Sequence, residues 1–297
     1  MTIKFRRSVM ITMMTPLIGM PMALSALAAD PDTPAAQTAP ATNSVRHMHM
    51  RASQLIGKNV ENAQGENLGE IKDLIIDVNN DRVFYAVLEF GGFLGMGEKL
   101  FAYPLRAFKH TGNSMDKLVL NVDKDKLKAA PGFARDKWPD WLSYGDQVDR
   151  YYGETVKVKE MPNQKLRRAS DLIGKNVNDR AGKDMGEIDD IVVNMSNGKI
   201  HHAVLEFDQS WNLNDKLISL PMRAFTYGAD QDDLVMNVDK ATIDTKRAYD
   251  KSTWPDLNDP SYVTDVDRSM GAMARMGPAG PKASSLSQRN DSPPVLA

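Results

Sequence analysis

The feature that most constrains this chain is a long internal repeat. The segment Arg51–Val60 (RASQLIGKNV) returns 117 positions later as Arg168–Val177 (RASDLIGKNV). The alignment continues without a gap to Phe108 and Phe225, and 26 of its 58 positions are identical. The repeats of solenoid proteins are about 20–50 residues long. A repeat of this length therefore indicates two whole domains in tandem.

Each copy consists of short segments in which apolar residues recur at every second position. Leu74, Ile76 and Val78 follow this pattern in the first copy, and the turn sequences Asn79–Asp81 and Ser196–Gly198 close a hairpin in each copy. Alternation of this kind is typical of half-buried strands. The sequence predicts an all-β fold of two tandem small antiparallel β-barrels with short helical turns.

The order of these motifs resembles the PRC-barrel family, which is named after the H subunit of the photosynthetic reaction centre. The resemblance rests on LIGKNV at Leu55–Val60, on LGEIKDLIIDV at Leu68–Val78 and on the run from Val83 to Phe108. It covers about residues 53–122 and 170–238. It implies a compact six-stranded barrel that docks onto other proteins and performs no chemistry.

The N-terminus has the layout of a secretory signal peptide. Lys4, Arg6 and Arg7 precede an apolar run, and small residues at Ala26 and Ala28 suit a cleavage site. We expect residues 1–28 to be removed and the mature protein to be periplasmic or secreted. The remaining sequence contains no second apolar stretch that could span a membrane, so we expect no stable membrane insertion after cleavage.

Composition narrows the classes of function. The net charge of −2 lacks the basic excess that nucleic-acid binding requires, so no nucleic-acid partner is expected. The chain has no cysteine, which excludes disulfides, thiol nucleophiles and thiolate metal sites. No cofactor is expected. The carboxylates that occur in both copies are expected to be solvated or paired, not catalytic, so the chain is predicted not to be an enzyme.

These observations divide the chain into seven regions. We predict a signal peptide (1–28), a flexible spacer (29–50), a first barrel (51–130), an aromatic linker (131–167), a second barrel (168–248), an aromatic extension (249–269) and a disordered tail (270–297). The linker is expected to pack on a barrel because it is rich in aromatic residues. Each barrel is expected to fold alone, since each holds a full set of inward-facing residues.

The connection after the third strand of each copy is unusually apolar. Phe93, Leu94 and Met96 lie there in the first copy, and Trp211 and Leu213 in the second. Hairpin connections are usually polar, and residues of these types are enriched at the centres of interfaces. We therefore predict that these five residues bind a partner protein in the cell envelope. The function predicted from the sequence is non-enzymatic binding or scaffolding.

The alternative is a soft-metal protein. His47, Met48, His49 and Met50 offer imidazole and thioether donors of the kind that bind Cu(I). In a flexible segment they would make a weak site, so no metal site is predicted as the function. His201 and His202 are adjacent in a predicted strand and are expected to point to opposite faces at its surface or rim. An enzyme with an unrecognisable site is a weaker alternative.

We expect the mature protein to begin at Ala29, because Ala26 and Ala28 occupy the small-residue positions before the cleavage site. Intact-mass measurement on a periplasmic extract tests this. A chain that retains residues 1–28 would contradict it.

Overall fold

The computed structural model describes residues 48–90, 99–110, 117–153, 165–208, 211–213, 215–228, 233–238, 241 and 243–276. The predicted signal peptide, most of the predicted spacer and the end of the predicted tail lie outside these ranges. So do Phe93, Leu94, Met96 and His47.

The first repeat contains eight of the described strands. Its elements are β1 (His49–Arg51), α1 (Ala52–Leu55), β2 (Asn59–Glu61), β3 (Asn67–Asp77), β4 (Arg82–Phe90), β5 (Lys99–Pro104), a 3-10 turn (Leu105–Ala107), β6 (Phe108–His110), β7 (Leu118–Leu120), α2 (Lys124–Lys128), β8 (Phe133–Ala134) and α3 (Trp141–Tyr152).

The second repeat follows the same order within its described residues. Its elements are β9 (Leu166–Arg168), a 3-10 turn (Ala169–Asp171), β10 (Asn176–Asn178), β11 (Asp184–Asn194), β12 (Lys199–Phe207), β13 (Lys216–Leu220), a 3-10 turn (Met222–Ala224), β14 (Phe225–Tyr227), β15 (Leu234–Met236), a 3-10 turn (Thr245–Arg247), β16 (Tyr249–Asp250) and α4 (Pro260–Met276).

The two repeats share one sheet. All sixteen strands of the described residues belong to it, and its main path runs β14-β15-β10-β11-β12-β4-β3-β2-β7-β6. Most neighbours are antiparallel, but β2 pairs with β7 and β10 with β15 in parallel. The predicted β-rich fold is confirmed. The prediction of two small antiparallel β-barrels is wrong for the described strands, because their sheet is not closed into a barrel and strands of each repeat pair across into the other.

The crossing involves the first strand of each repeat. Strand β1 pairs with β11, where Met50 lies opposite Val193. Strand β9 pairs with β3, where Arg167 lies opposite Ile76. The two central hairpins also meet at their turns, since the N–H of Val83 donates to the carbonyl of Gly198 at 2.8 Å and that of Ile200 to Asp81 at 2.9 Å. The repeats therefore exchange strands reciprocally.

One apolar core spans both repeats. Leu88 and Phe101 of the first repeat belong to the same cluster of buried side chains as Leu205 and Ile218 of the second. The other face of the sheet is covered as well. Ile75, Phe84 and Tyr85 are buried there beneath α3. Strand β4 is buried along most of its length because it has apolar partners on both faces.

Both aromatic segments form helices that lie on the sheet. The predicted linker contains α3, whose Trp141, Tyr144 and Val148 pack against the outer face of the first repeat, as expected for this segment. The predicted extension runs into α4, which continues to Met276. The predicted disorder from residue 270 is therefore wrong for residues 270–276, and Met270 is buried.

Of the residues that the structure describes, none belongs to a helix with both the length and the apolar content needed to cross a membrane.

The shared core changes the expectation that each repeat folds alone. We expect Leu88→Ala and Leu205→Ala each to destabilise the whole protein by about 2–5 kcal/mol, because each empties a fully buried position of one cluster. Thermal or denaturant unfolding should show one transition that either substitution lowers. Two transitions, of which each substitution moves only one, would contradict a common core.

Candidate functional site

The two described residues of the predicted partner site lie partly in the core. Trp211 packs on Phe207 with ring centroids 4.7 Å apart, and Trp211 and Leu213 are half-buried against the main apolar cluster. Both side chains therefore contribute to the core as well as to the predicted partner site. Part of each remains exposed at the end of the β12 hairpin.

The segment proposed as a copper site is not a flexible spacer where the structure describes it. His49 and Met50 lie in β1, and both are buried. Successive side chains of a strand point to opposite faces. Met48 and Met50 face the main core, whereas the ring of His49 lies on His201 with centroids 4.4 Å apart. These donors do not converge on one ion, and no metal site is assigned to them.

A pair of buried carboxylates joins the repeats crosswise. The backbone N–H and hydroxyl of Ser53 both donate to the carboxylate of Asp190 in the other repeat. In the same way, the backbone N–H and hydroxyl of Ser170 donate to Asp73. The side chains of Asp73 and Asp190 are 3% and 1% exposed. We call these two contacts the serine–aspartate clasps.

Burial is the largest influence on these carboxylates. It raises the pKa of Asp73 and of Asp190, and the hydrogen bonds from Ser170 and Ser53 oppose that rise. Each carboxylate also accepts the N–H of the residue that follows it, at 2.8 Å. The donors to each carboxylate thus come from the serine of the opposite repeat and from its own strand.

The repeated Trp-Pro-Asp sequence lies next to the clasps. The guanidinium of Arg51 stacks on Trp254 at 4.5 Å from the ring centroid, and that of Arg168 stacks on Trp138 at 4.9 Å. Each arginine belongs to an exchanged strand, whereas Trp254 lies in the aromatic extension after the second repeat and Trp138 in the aromatic linker after the first. Cation–π contacts of this kind add to the attachment of the exchanged strands.

The outer faces of the two repeats differ in chemistry at equivalent positions. In the first repeat Phe84 and Tyr85 face α3, where the Tyr85 ring stacks with Trp141 at 6.1 Å. The residues 117 positions later are His201 and His202, which face α4. A shift of register explains why both rings lie on one face, since the pairing passes from Val192–His202 to Val193–Ile200. A bulge places two residues opposite one and breaks the alternation of faces.

The histidines form a hydrogen-bonded chain beneath α4. Nδ1 of His201 lies 2.7 Å from Nδ1 of His202, and its Nε2 lies 3.2 Å from a carboxylate oxygen of Asp267. Nε2 of His202 lies 3.5 Å from the hydroxyl of Tyr262. The side chain of His202 is fully buried. The prediction that His201 and His202 point to opposite faces at the surface is therefore wrong.

The third histidine is held by other groups. Nδ1 of His49 lies 3.2 Å from the carbonyl of Leu257, and its Nε2 lies 3.3 Å from the amide of Asn194. Its ring nitrogens therefore do not point at the His201–His202 pair. Among the described residues, no set of three or more histidine, aspartate and glutamate side chains is placed to hold a metal ion.

A further pair of carboxylates at equivalent positions of the two copies, Glu89 and Glu206, is paired with cations. Glu89 forms ion pairs with Lys72 and Arg135, and Glu206 with Lys251. Glu206 also lines an open acidic cleft of about 490 Å³ in the second repeat. The cleft is lined by Asn176, Asp184, Gly186, Glu187, Glu206, Phe207, Asp208 and Asp215.

Comparison with known families identifies the fold. The profile of the PRC-barrel domain matches residues 48–129 and 165–243, which together make up more than half of the chain. The chain belongs to the PRC-barrel family. A comparison with curated proteins finds no match. The two matched ranges confirm that this protein has PRC-barrel domains in tandem.

Sequence reasoning missed the clasps although their residues were visible. The motif Arg-Ala-Ser occurs in both copies, as do the aspartates 73 and 190. Identical short polar residues at both ends of a contact are a usable signal for a duplicated interaction. The sequence shows the histidine pair but not its register, because a bulge cannot be predicted from a strictly alternating pattern.

We expect Asp73→Ala and Asp190→Ala each to destabilise the protein by about 1–3 kcal/mol, because one buried N–H and two part-buried serine donors lose their acceptor in each case. Asp73→Asn should cost less, since its carbonyl oxygen can still accept. Denaturant unfolding measures the change, with Asp125→Ala on exposed α2 as the matched control. Equal stability of Asp73→Ala and this control would contradict the clasps.

Proposed function

We propose that this PRC-barrel protein is a non-enzymatic periplasmic scaffolding protein that binds a partner protein through the ends of its hairpins. The observation that carries the proposal is a contrast between the two repeats. The residues that join the repeats are the same in both copies, whereas the connection after β4 (Gly91–Gly97) differs from the one after β12 (Asp208–Asn214).

The way in which the two faces of the sheet are covered also favours the hairpin ends as the binding surface. One face of the sheet forms the common core, and the other face is covered by α3 and by the extension around Trp254. These faces are occupied within the chain itself. The exposed parts of Trp211 and Leu213 are then the described members of the predicted site that remain open to a partner.

The environment of the carboxylates favours binding over catalysis. Asp73 and Asp190 accept hydrogen bonds from the opposite repeat, and Glu89 and Glu206 form ion pairs. A general acid or base needs access to a substrate. The proposed location in the periplasm rests on the signal-like sequence of residues 1–28.

Site-specific photo-cross-linking in the periplasm tests the proposal. A photoreactive phenylalanine analogue is placed at position 93 or 213, with position 125 on α2 as the exposed control. We expect a discrete protein adduct from at least one hairpin position and none from position 125. This readout does not depend on truncating an apolar side chain, so it separates binding from stability.

Absence of an adduct from both hairpin positions would contradict the proposal. The same adduct from position 125 would also contradict it, because a partner that contacts every exposed position has no defined site.

A further inference from the structure

We propose that His201 and His202 form a pH-sensitive latch that holds the C-terminal helix α4 on the second repeat at neutral pH and releases it on acidification. The inference concerns a conformational change within the chain and does not depend on partner binding. It rests on the distance between the two rings, on the burial of His202 and on the groups that α4 contributes.

The hydrogen-bond partners define where the protons lie when α4 is docked. Nε2–H of His201 donates to the carboxylate of Asp267, which leaves Nδ1 of His201 as an acceptor. Nδ1–H of His202 donates to that nitrogen across 2.7 Å. Nε2 of His202 then accepts from the hydroxyl of Tyr262. All four ring nitrogens of His201 and His202 have a partner in this neutral arrangement.

The short contact between the rings limits how many protons the pair can carry. One proton between the two Nδ1 atoms gives a hydrogen bond, but two would set N–H groups against each other over 2.7 Å. The pair therefore cannot be doubly protonated while the rings remain in contact. Two histidines in water both become protonated below a pH of about 6.5.

The groups facing the pair do not relieve this limit. His49 faces it from β1, and Asp267 and Tyr262 face it from α4. Tyr249 of β16 reaches it through Ser219, and burial raises the pKa of Tyr249 and Tyr262, so both stay neutral. The carboxylate of Asp267 contacts His201, which lies next to the buried His202.

Two arginines bind the helix by its backbone. Arg223 donates to the carbonyl of Met270, and Arg247 donates to the carbonyl of Asp265. Both of these contacts are made to backbone carbonyls of α4, whereas the pH-sensitive contacts of the latch are made by the side chains of the histidine pair.

The direction of the pH effect on α4 docking follows from the direction in which the pKa of His202 is shifted. Burial, followed by the nearby imidazoles of His201 and His49, holds the pKa of His202 well below its usual range. A group with a lowered pKa in the docked state favours docking fully above its ordinary pKa of about 6.5. As the pH falls from about 6.5 towards the lowered pKa of His202, the equilibrium constant for α4 docking decreases by up to about tenfold per pH unit.

The first repeat provides an internal control. Helix α3 lies on Phe84 and Tyr85 at the positions equivalent to the two histidines, and neither residue titrates in this range. Hydrogen exchange of the mature chain at pH 7.5 and pH 5.0 compares the two helices in one molecule. Protection factors, corrected for the intrinsic rate at each pH, measure the opening of each helix.

We expect protection of residues 260–270 to fall by about tenfold or more at pH 5.0, relative to residues 141–152. In the double variant His201→Phe with His202→Tyr, which copies the first repeat, this difference should vanish. An equal loss of protection in both helices would overturn the latch. The same selective loss in the double variant would overturn it as well.

A titration of the wild-type imidazoles by NMR keeps the test independent of the variant's folding. We expect no protonation of His202 near pH 6.5 in molecules whose α4 is protected. A His202 ring that becomes protonated near pH 6.5 with α4 still protected would overturn the proposal.

Discussion

The fold depends on two buried carboxylates, each of which accepts hydrogen bonds from a serine of the opposite repeat. Asp73 and Asp190 lie in the central strands, and each receives a hydroxyl and an N–H from the serine of the opposite repeat. A buried charge without such donors is costly. The first strand of each repeat crosses over to bring these donors into place, and this crossing joins the strands of both repeats in one sheet with one core.

Much of the local structure could be predicted from the sequence. Alternation and turn residues marked β3 and β4 and their counterparts, and the duplication marked two domains. The exchange of strands could not be predicted in this way. Ser53 could bond Asp73 of its own repeat or Asp190 of the other, and an internal duplication makes the two choices identical in sequence. The choice depends on long-range pairing that no local pattern records.

The histidine pair shows a second limit of sequence reasoning. A strict alternation separates His201 from His202, but one additional residue on β12 turns both rings to the same face. The orientation of the two rings is therefore set by the pairing of β12 with β11, not by the residues next to the histidines in the sequence. The first repeat has the same irregularity, where the pairing passes from Ile75–Tyr85 to Ile76–Val83. Aromatic residues at those positions give no hint of a polar network at their counterparts.

Covalent linkage of the two repeats has a consequence for symmetry. If two identical chains of one repeat formed a dimer by exchanging strands in this manner, any substitution would appear on the outer faces of both subunits. In a single chain each face can change by itself, while the exchanged strands remain common to both. The outer face of the first repeat carries Phe84 and Tyr85 and that of the second carries His201 and His202. Duplication thus lets one half supply stability while the other half acquires a different chemistry.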